Sequence, residues 1–228
     1  MRLSHLLSAT MLALPLLTGA AHANLLTNGS FENNLVLPNT KSFFNLAGVA
    51  GWSGGGFYNF VVAPGMADHG LGFSVYGPFP STSPDGGDFV MADGDPSLAV
   101  AISQTVSGLV AGQAYTLSFY QAAGQQAGFT GPTTERWAVS FGGQTQYSTR
   151  YSLPQGGVGP WMAQSMTFVA TASTQVLSFL ASGTPDGAPP VSFLDGVDLE
   201  VAVPEPASFA LLGVGLVGLA VYRRRRAG

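Results

Sequence analysis

The chain has 228 residues, 46% of them hydrophobic and only 9% charged, and it contains no cysteine. Its fold therefore rests on apolar packing, without disulfides or cysteine-held metals. The formal charge is −4, but four of the eight basic residues sit together at Arg223, Arg224, Arg225 and Arg226; between residues 24 and 202, three basic residues face eleven acidic ones, a balance of −8. That balance argues against nucleic acid as a partner, because phosphate neutralisation needs clustered Lys and Arg.

In chain order, residues 1–23 come first. Arg2 supplies a small basic start, residues 6–17 are mostly apolar, and Ala21-His22-Ala23 is a small-residue cleavage site. These features predict a signal peptide that signal peptidase removes before Asn24. Residues 24–202 then form one domain, long enough for a sizeable core. No 3.6-residue periodicity persists there. Short alternating runs bounded by Gly, Pro and Asp predict an all-β domain instead. The expected strands are 99–106, 114–121, 137–141, 165–171, 175–181 and 192–201. In the second of these, Tyr115, Leu117 and Phe119 share one face. Residues 41–84 read as an irregular excursion through Gly51-Trp52-Ser53-Gly54-Gly55-Gly56 and Tyr76-Gly77-Pro78-Phe79-Pro80, and 124–132 and 153–160 read as long turns.

Residues 203–228 close the sequence with Pro204-Glu205-Pro206, an apolar run over 207–222 and the four arginines. Sixteen helical residues span about 24 Å against a hydrocarbon core of about 30 Å, which is short for a permanent span. The arginines act as a stop signal that stays cytoplasmic, leaving the preceding domain on the far side of the membrane. This three-part arrangement resembles the PEP-CTERM sorting signal of Gram-negative bacteria. The resemblance implies recognition and cleavage near Pro204-Glu205-Pro206 by an exosortase, transient membrane anchoring through the helix, and release or transfer to the cell surface or beyond. It also implies an association with exopolysaccharide and biofilm. The alternative is an ordinary retained anchor.

The domain itself resembles the galactose-binding-like, jelly-roll β-sandwich of carbohydrate-binding modules. The likeness lies in the opening Asn24-Leu25-Leu26-Thr27-Asn28-Gly29-Ser30-Phe31-Glu32, in Ser103-Gln104-Thr105-Val106 followed by the run from Gly112 to Phe119, and in Phe193-Leu194-Asp195-Gly196-Val197-Asp198-Leu199. It implies a single antiparallel sandwich in which a structural Ca²⁺ joins the first and last strands. The matching ligands are the carboxylates of Glu32 and Asp195, with a carbonyl near Ser30; otherwise these are turn and strand-edge residues without metal.

Catalytic signals are sparse. His69 is the only histidine after residue 23 and is flanked by Asp68 and Gly70, which fits a solvated loop. Two carboxylates would suffice for a glycosidase, but no spacing singles out a pair, and Glu135 beside Arg136 reads as a surface ion pair. Asp85-Gly86-Gly87-Asp88 and Asp93-Gly94-Asp95 lack an EF-hand pattern and read first as turns. Sugar recognition needs exposed aromatic faces. Trp52, Phe57, Tyr58 and Trp161 are the candidate platforms, with the capping of the sandwich ends as the alternative role for the two tryptophans. Trp137, inside a strand, is expected in the core. The reading is a non-enzymatic exported protein that binds or organises extracellular polysaccharide. Its competitors are a carbohydrate-active hydrolase and a purely structural matrix component.

Overall fold

A computed structural model describes residues 24–70 and 72–202, and the segments expected to act in export and sorting lie outside them. Two six-stranded antiparallel sheets face each other. The first runs in the order β1 (Lys41–Phe43), β3 (Asn59–Val62), β4 (Phe89–Asp93), β12 (Pro190–Val201), β6 (Ala114–Gln125) and β10 (Val158–Val169). The second runs β2 (Ser53–Gly54), β5 (Ile102–Ser107), β11 (Thr174–Thr184), β7 (Thr133–Phe141) and β8 (Gln144–Tyr147), with β9 (Tyr151–Leu153) also paired to β7. This is the expected antiparallel β-sandwich.

Strict alternation builds the second sheet. Along β7, Thr133, Glu135, Trp137, Val139 and Phe141 are buried while their neighbours are only half-buried, as a two-residue period requires when one face meets a core. The core between the sheets gathers Trp137, Phe119, Phe141, Phe168 and Phe179. Trp137 lies edge-on to Phe179 at 6.0 Å, and its indole N–H donates to the Phe193 carbonyl of the opposite sheet at 2.9 Å. It is the core residue the sequence predicts.

The first sheet is buried on both faces along β3, β4 and the adjoining halves of β12 and β6. Its outer side carries a second apolar cluster of Phe60, Phe89, Met91 and Phe193. The excursion between β3 and β4 covers this cluster by laying Phe73, Val75 and Phe79 on it, and Phe79 stacks on Phe193 at 4.1 Å. Lys41 pins the excursion to β1: its ammonium donates to the carbonyls of Met66 (3.3 Å) and His69 (2.8 Å) and to the Ser74 hydroxyl (2.8 Å). Doubly covered strands lose their alternation, and β4 is accordingly buried at all five positions.

Two edges that a sandwich leaves open are closed by amides. Gln144 and Gln146, on β8, donate to the carbonyls of Val169 (2.6 Å) and Thr167 (2.7 Å) on β10. The outer edge of β10 is thereby withheld from pairing with another chain, a protection that long uncharged edge strands need.

Candidate functional site

The acidic residues of the first and last segments come near enough for the charge of Glu32 to act on Asp195. Near the C-terminal half of β12 a register shift lets the chain bulge at Asp195 and Gly196. Gly196 takes a left-handed φ of 56°, and a Cβ there would press on the Tyr120 ring and on Asp85, so glycine suits the bulge. Asp195 is fully buried. Its Oδ2 accepts the Ser83 hydroxyl, and its Oδ1 accepts the Gly196 N–H at 2.8 Å. Burial pushes its carboxyl up to about 8 despite those hydrogen bonds, and the charges of Asp85 and Glu32 add to the rise.

Glu32 reaches the same corner from the opening segment. Its Oε1 accepts the Asp88 N–H at 2.7 Å, and the carboxylate lies where a side chain on Gly87 would stand. Partial burial and the neighbouring Asp88 and Asp85 charges raise its pKa. Just before it the backbone is strained: Asn28 and Phe31 both have left-handed φ values, of 54° and 60°. Such values in non-glycine residues cost energy and mark positions held by their surroundings. Among the described residues, nothing donates a hydrogen bond to the Ser30 carbonyl between them. Also among the described residues, no three Asp, Glu or His side chains are grouped closely enough to hold one metal ion. An ion here would need two carboxylates completed by carbonyl and hydroxyl oxygens, which is chemistry that suits a hard cation such as Ca²⁺.

The aromatic candidates separate. Trp52 is a correction: it is only 7% exposed, its ring lies 5.1 Å from Phe31 and 6.2 Å from Phe179, and its N–H donates to the Asn28 carbonyl at 2.9 Å. Its faces are spent on the core, and no sugar can stack on them. Trp161 is half-buried against the outer cluster, edge-on to Phe89 at 5.5 Å and to Phe79 and Phe193 at 6.3 Å. It belongs to the packing beneath the excursion.

Tyr58 fares differently. It borders an open cleft of about 590 Å³ at the β1–β3 edge of the first sheet, shared with Phe43, Phe57, Phe60 and Phe73. Phe57 is 75% exposed and Tyr58 37% exposed. Behind them the rings form a chain of contacts: Phe57 to Phe43 at 6.0 Å, Phe43 stacked on Phe60 at 5.1 Å, Phe60 to Phe73 at 5.3 Å and Phe73 to Tyr58 at 6.1 Å. Lys41, Ser42 and Gln126 supply polar atoms at the rim, and no carboxylate lines the cleft. Sequence reading found Phe57 and Tyr58 but not Phe43, Phe73 or Gln126. These come from three separate segments that only the excursion brings together.

Glu135 is also a correction. It does not pair with Arg136 at the surface, because successive strand residues point to opposite faces. Glu135 faces the core, no cation pairs with it among the described residues, and burial pushes its carboxyl up to about 7 against the opposing effect of the Thr133 hydroxyl. Arg136 points outward and lies over the Tyr147 ring at 4.0 Å. His69 is exposed, with Nδ1 2.8 Å from Asp68 Oδ1, as expected of a loop histidine.

Comparison with known proteins gives two kinds of result. Among solved structures the chain is similar to TmCBM61 in complex with β-1,4-galactotriose (17% identity, TM-score 0.44, 79% of this chain and 99% of that one). It is also similar to a family 16 carbohydrate-binding module (17%, TM-score 0.37, 77% and 99%). A third likeness is to the CBM22-1 xylan-binding domain of Xyn10C from Paenibacillus barcinonensis (14%, TM-score 0.39, 73% and 95%). None of the curated proteins matches the sequence. Beyond the sandwich, residues 202–226 match the model of the PEP-CTERM protein-sorting motif, so the chain carries the signal that marks a protein for export and exosortase-type sorting towards the surface.

Proposed function

We propose that this protein is an exported surface or matrix component that binds neutral extracellular polysaccharide, of the kind found in biofilms, through the aromatic cleft at the β1–β3 edge. The observation that carries this reading is the exposure of Phe57 and Tyr58 at the mouth of a cleft whose floor is already stacked aromatic rings. Pyranose rings present flat C–H faces that lie on such side chains, while rim amides and hydroxyls take their hydroxyl groups. Lys41 has no N–H left for a ligand, because its ammonium already donates to three acceptors, and the nearby Asp68 carboxylate offsets part of its charge. A neutral sugar fits this lining better than an acidic one. A cleft without carboxylates supplies no acid–base pair for hydrolysis, which favours binding over turnover.

Replacing Phe57 and Tyr58 with alanine is expected to weaken glycan binding by about tenfold or more, the loss that removing 1.4 kcal/mol of stacking contact produces. Isothermal titration against a panel of neutral oligosaccharides measures it. Equal affinity of the double variant and the wild type would place binding elsewhere, and glycan turnover by the purified protein would favour the hydrolase. We further propose Ca²⁺ as a structural ion at Glu32 and Asp195, with the Ser30 carbonyl as a third oxygen. Such an ion would clasp the opening segment to the last strand in a domain that has no disulfide.

A further inference from the structure

One end of the sandwich is a stitched platform without charge. The turns between β5 and β6 (108–113), β7 and β8 (142–143) and β10 and β11 (170–173) all lie at the end where β12 finishes. None of these residues is charged, although residues 24–202 carry eleven acidic and three basic side chains. Along β12 the first charge above the platform is Glu200, opposite Thr116. Val110 is 63% exposed, Ala111 and Ala172 are exposed with it, and Val169 and Val176 are open on the flanks. Hydrogen bonds hold the turns together. Leu109 N–H donates to the Ser173 carbonyl at 3.0 Å, Gly112 N–H to the Ala170 carbonyl at 2.7 Å and Val110 N–H to the Tyr115 hydroxyl at 2.9 Å. The Gln175 side chain accepts the Thr171 N–H at 3.1 Å and donates to the Thr171 hydroxyl at 2.9 Å. These amides, which would be costly to bring unpaired against lipid, are already bonded.

The chain leaves the domain at this same end. Ala202 N–H donates to the Ala114 carbonyl at 2.9 Å, beside the Val201–Tyr115 pair that closes β12. Only residues 203–206 separate Ala202 from the apolar run over 207–222. Four residues reach about 14 Å at most. With that run in the bilayer, the platform is held within about that distance of a headgroup layer that is itself about 5–8 Å thick. The Debye length in physiological salt is about 8 Å, so acidic turns held this close would be repelled by anionic lipids. Uncharged turns tipped with valine and alanine are not. We propose that, while the chain is anchored, this platform rests on the bilayer surface with Val110, Ala111 and Ala172 among the lipid headgroups. The contact is too small to bind lipid from free solution, but the tether makes docking intramolecular, at millimolar effective concentration. Docking keeps Pro204-Glu205-Pro206 in the layer between domain and membrane, and the contact lapses when the chain is cut there. It depends on the anchoring role of residues 207–222 and on none of the cleft's residues, so it goes beyond the glycan-binding reading.

The chain has no cysteine, so a single introduced thiol carries a fluorophore at one place. Val110→Cys is compared with Asp186→Cys, which lies in the exposed β11–β12 turn at the opposite end. Both are labelled with an environment-sensitive dye such as bimane. Each chain, from Asn24 to Gly228, is reconstituted into vesicles of phosphatidylethanolamine and phosphatidylglycerol, with and without a lipid carrying a nitroxide quencher on its headgroup. The label at position 110 is expected to shift to the blue and to lose emission to the nitroxide lipid, while the label at position 186 does neither. Adding Ala172→Asp to Val110→Cys is expected to restore most of that emission, because the carboxylate resists desolvation against anionic headgroups. Ala172 is exposed, so this variant should melt as its parent does. Equal emission from the first label with and without the quencher overturns the proposal, and so does equal quenching at the two ends. A blue shift at position 110 without quenching, growing with the protein-to-lipid ratio, assigns the platform to a second copy of the chain. A chain that does not float with the vesicles sinks the anchoring reading and the docking together, and leaves glycan binding at the cleft untouched.

Discussion

In the presence of a chelator, the domain is expected to lose several kcal/mol of stability as the pH rises from about 5 to 8. The cause is a set of buried carboxyls without cationic partners. Burial pushes Asp93 up to about 6, Glu135 up to about 7 and Asp195 up to about 8. Each folded-state pKa lies above its value in the unfolded chain. Between the two values the native state holds a proton that the unfolded state has released. Stability is therefore fully present below the unfolded pKa and drains away as the pH climbs through the folded one. For Glu135 the window runs from 4.5 to about 7, a contribution of about 3 kcal/mol at about 1.4 kcal/mol per pKa unit. Urea titrations across this range give the slope. Glu135→Gln cannot ionise, so the stability it loses across this range should be smaller than the wild-type loss by about that amount, whatever fixed cost the buried amide adds. An unchanged slope in the variant would show that Glu135 is already paired or solvated.

The same residue shows what sequence reading could and could not reach. The burial of Glu135 was missed because the expected strand began only at Trp137; the observed strand begins at Thr133 and gives Glu135 the parity of Trp137, Val139 and Phe141. Adjacency to Arg136 suggested a pair, but adjacency in a strand separates two side chains. The six strands expected from alternation all exist, each extended or trimmed by a few residues. The exception is β10, which begins at Val158 rather than 165 because a bulge between Gly159 and Met162 admits the Gly-Pro dipeptide that reads as a turn. Strands β3 and β4 were not expected. The excursion buries their second face, and with both faces apolar no period remains to be read. Trp52 misled for a related reason. Its glycine-rich neighbours predict an exposed loop, whereas Phe31 and Phe179, which enclose it, are distant in sequence. Tyr58 was legible as an aromatic in a loop. The cleft around it was not, since its wall at Phe73 depends on how Lys41 ties down the excursion.

Calcium should raise the melting temperature of the wild-type domain at pH 8 and reverse the effect of substituting Asp195. Without a cation, the ionised Asp195 carboxylate is buried beside Asp85 and Glu32, and among the described residues no ammonium or guanidinium compensates it. Asp195→Asn removes that charge and keeps the shape, so in chelator at pH 8 the variant should be more stable than the wild type. A bound divalent ion inverts the sign, because it turns the same carboxylates from a mutual repulsion into a ligand set. With Ca²⁺ at about 100 times its dissociation constant, the wild type gains about 2.7 kcal/mol that the asparagine variant cannot collect. The two stability curves therefore cross between chelator and calcium. Lower pH should weaken the wild-type response, since Asp195 must lose its proton to bind the ion. Wild-type melting that is identical in calcium and in chelator would exclude the clasp, and would leave Asp195 as a carboxyl held towards its neutral form by burial and by the charges of Asp85 and Glu32, against the hydrogen bond it accepts from Ser83.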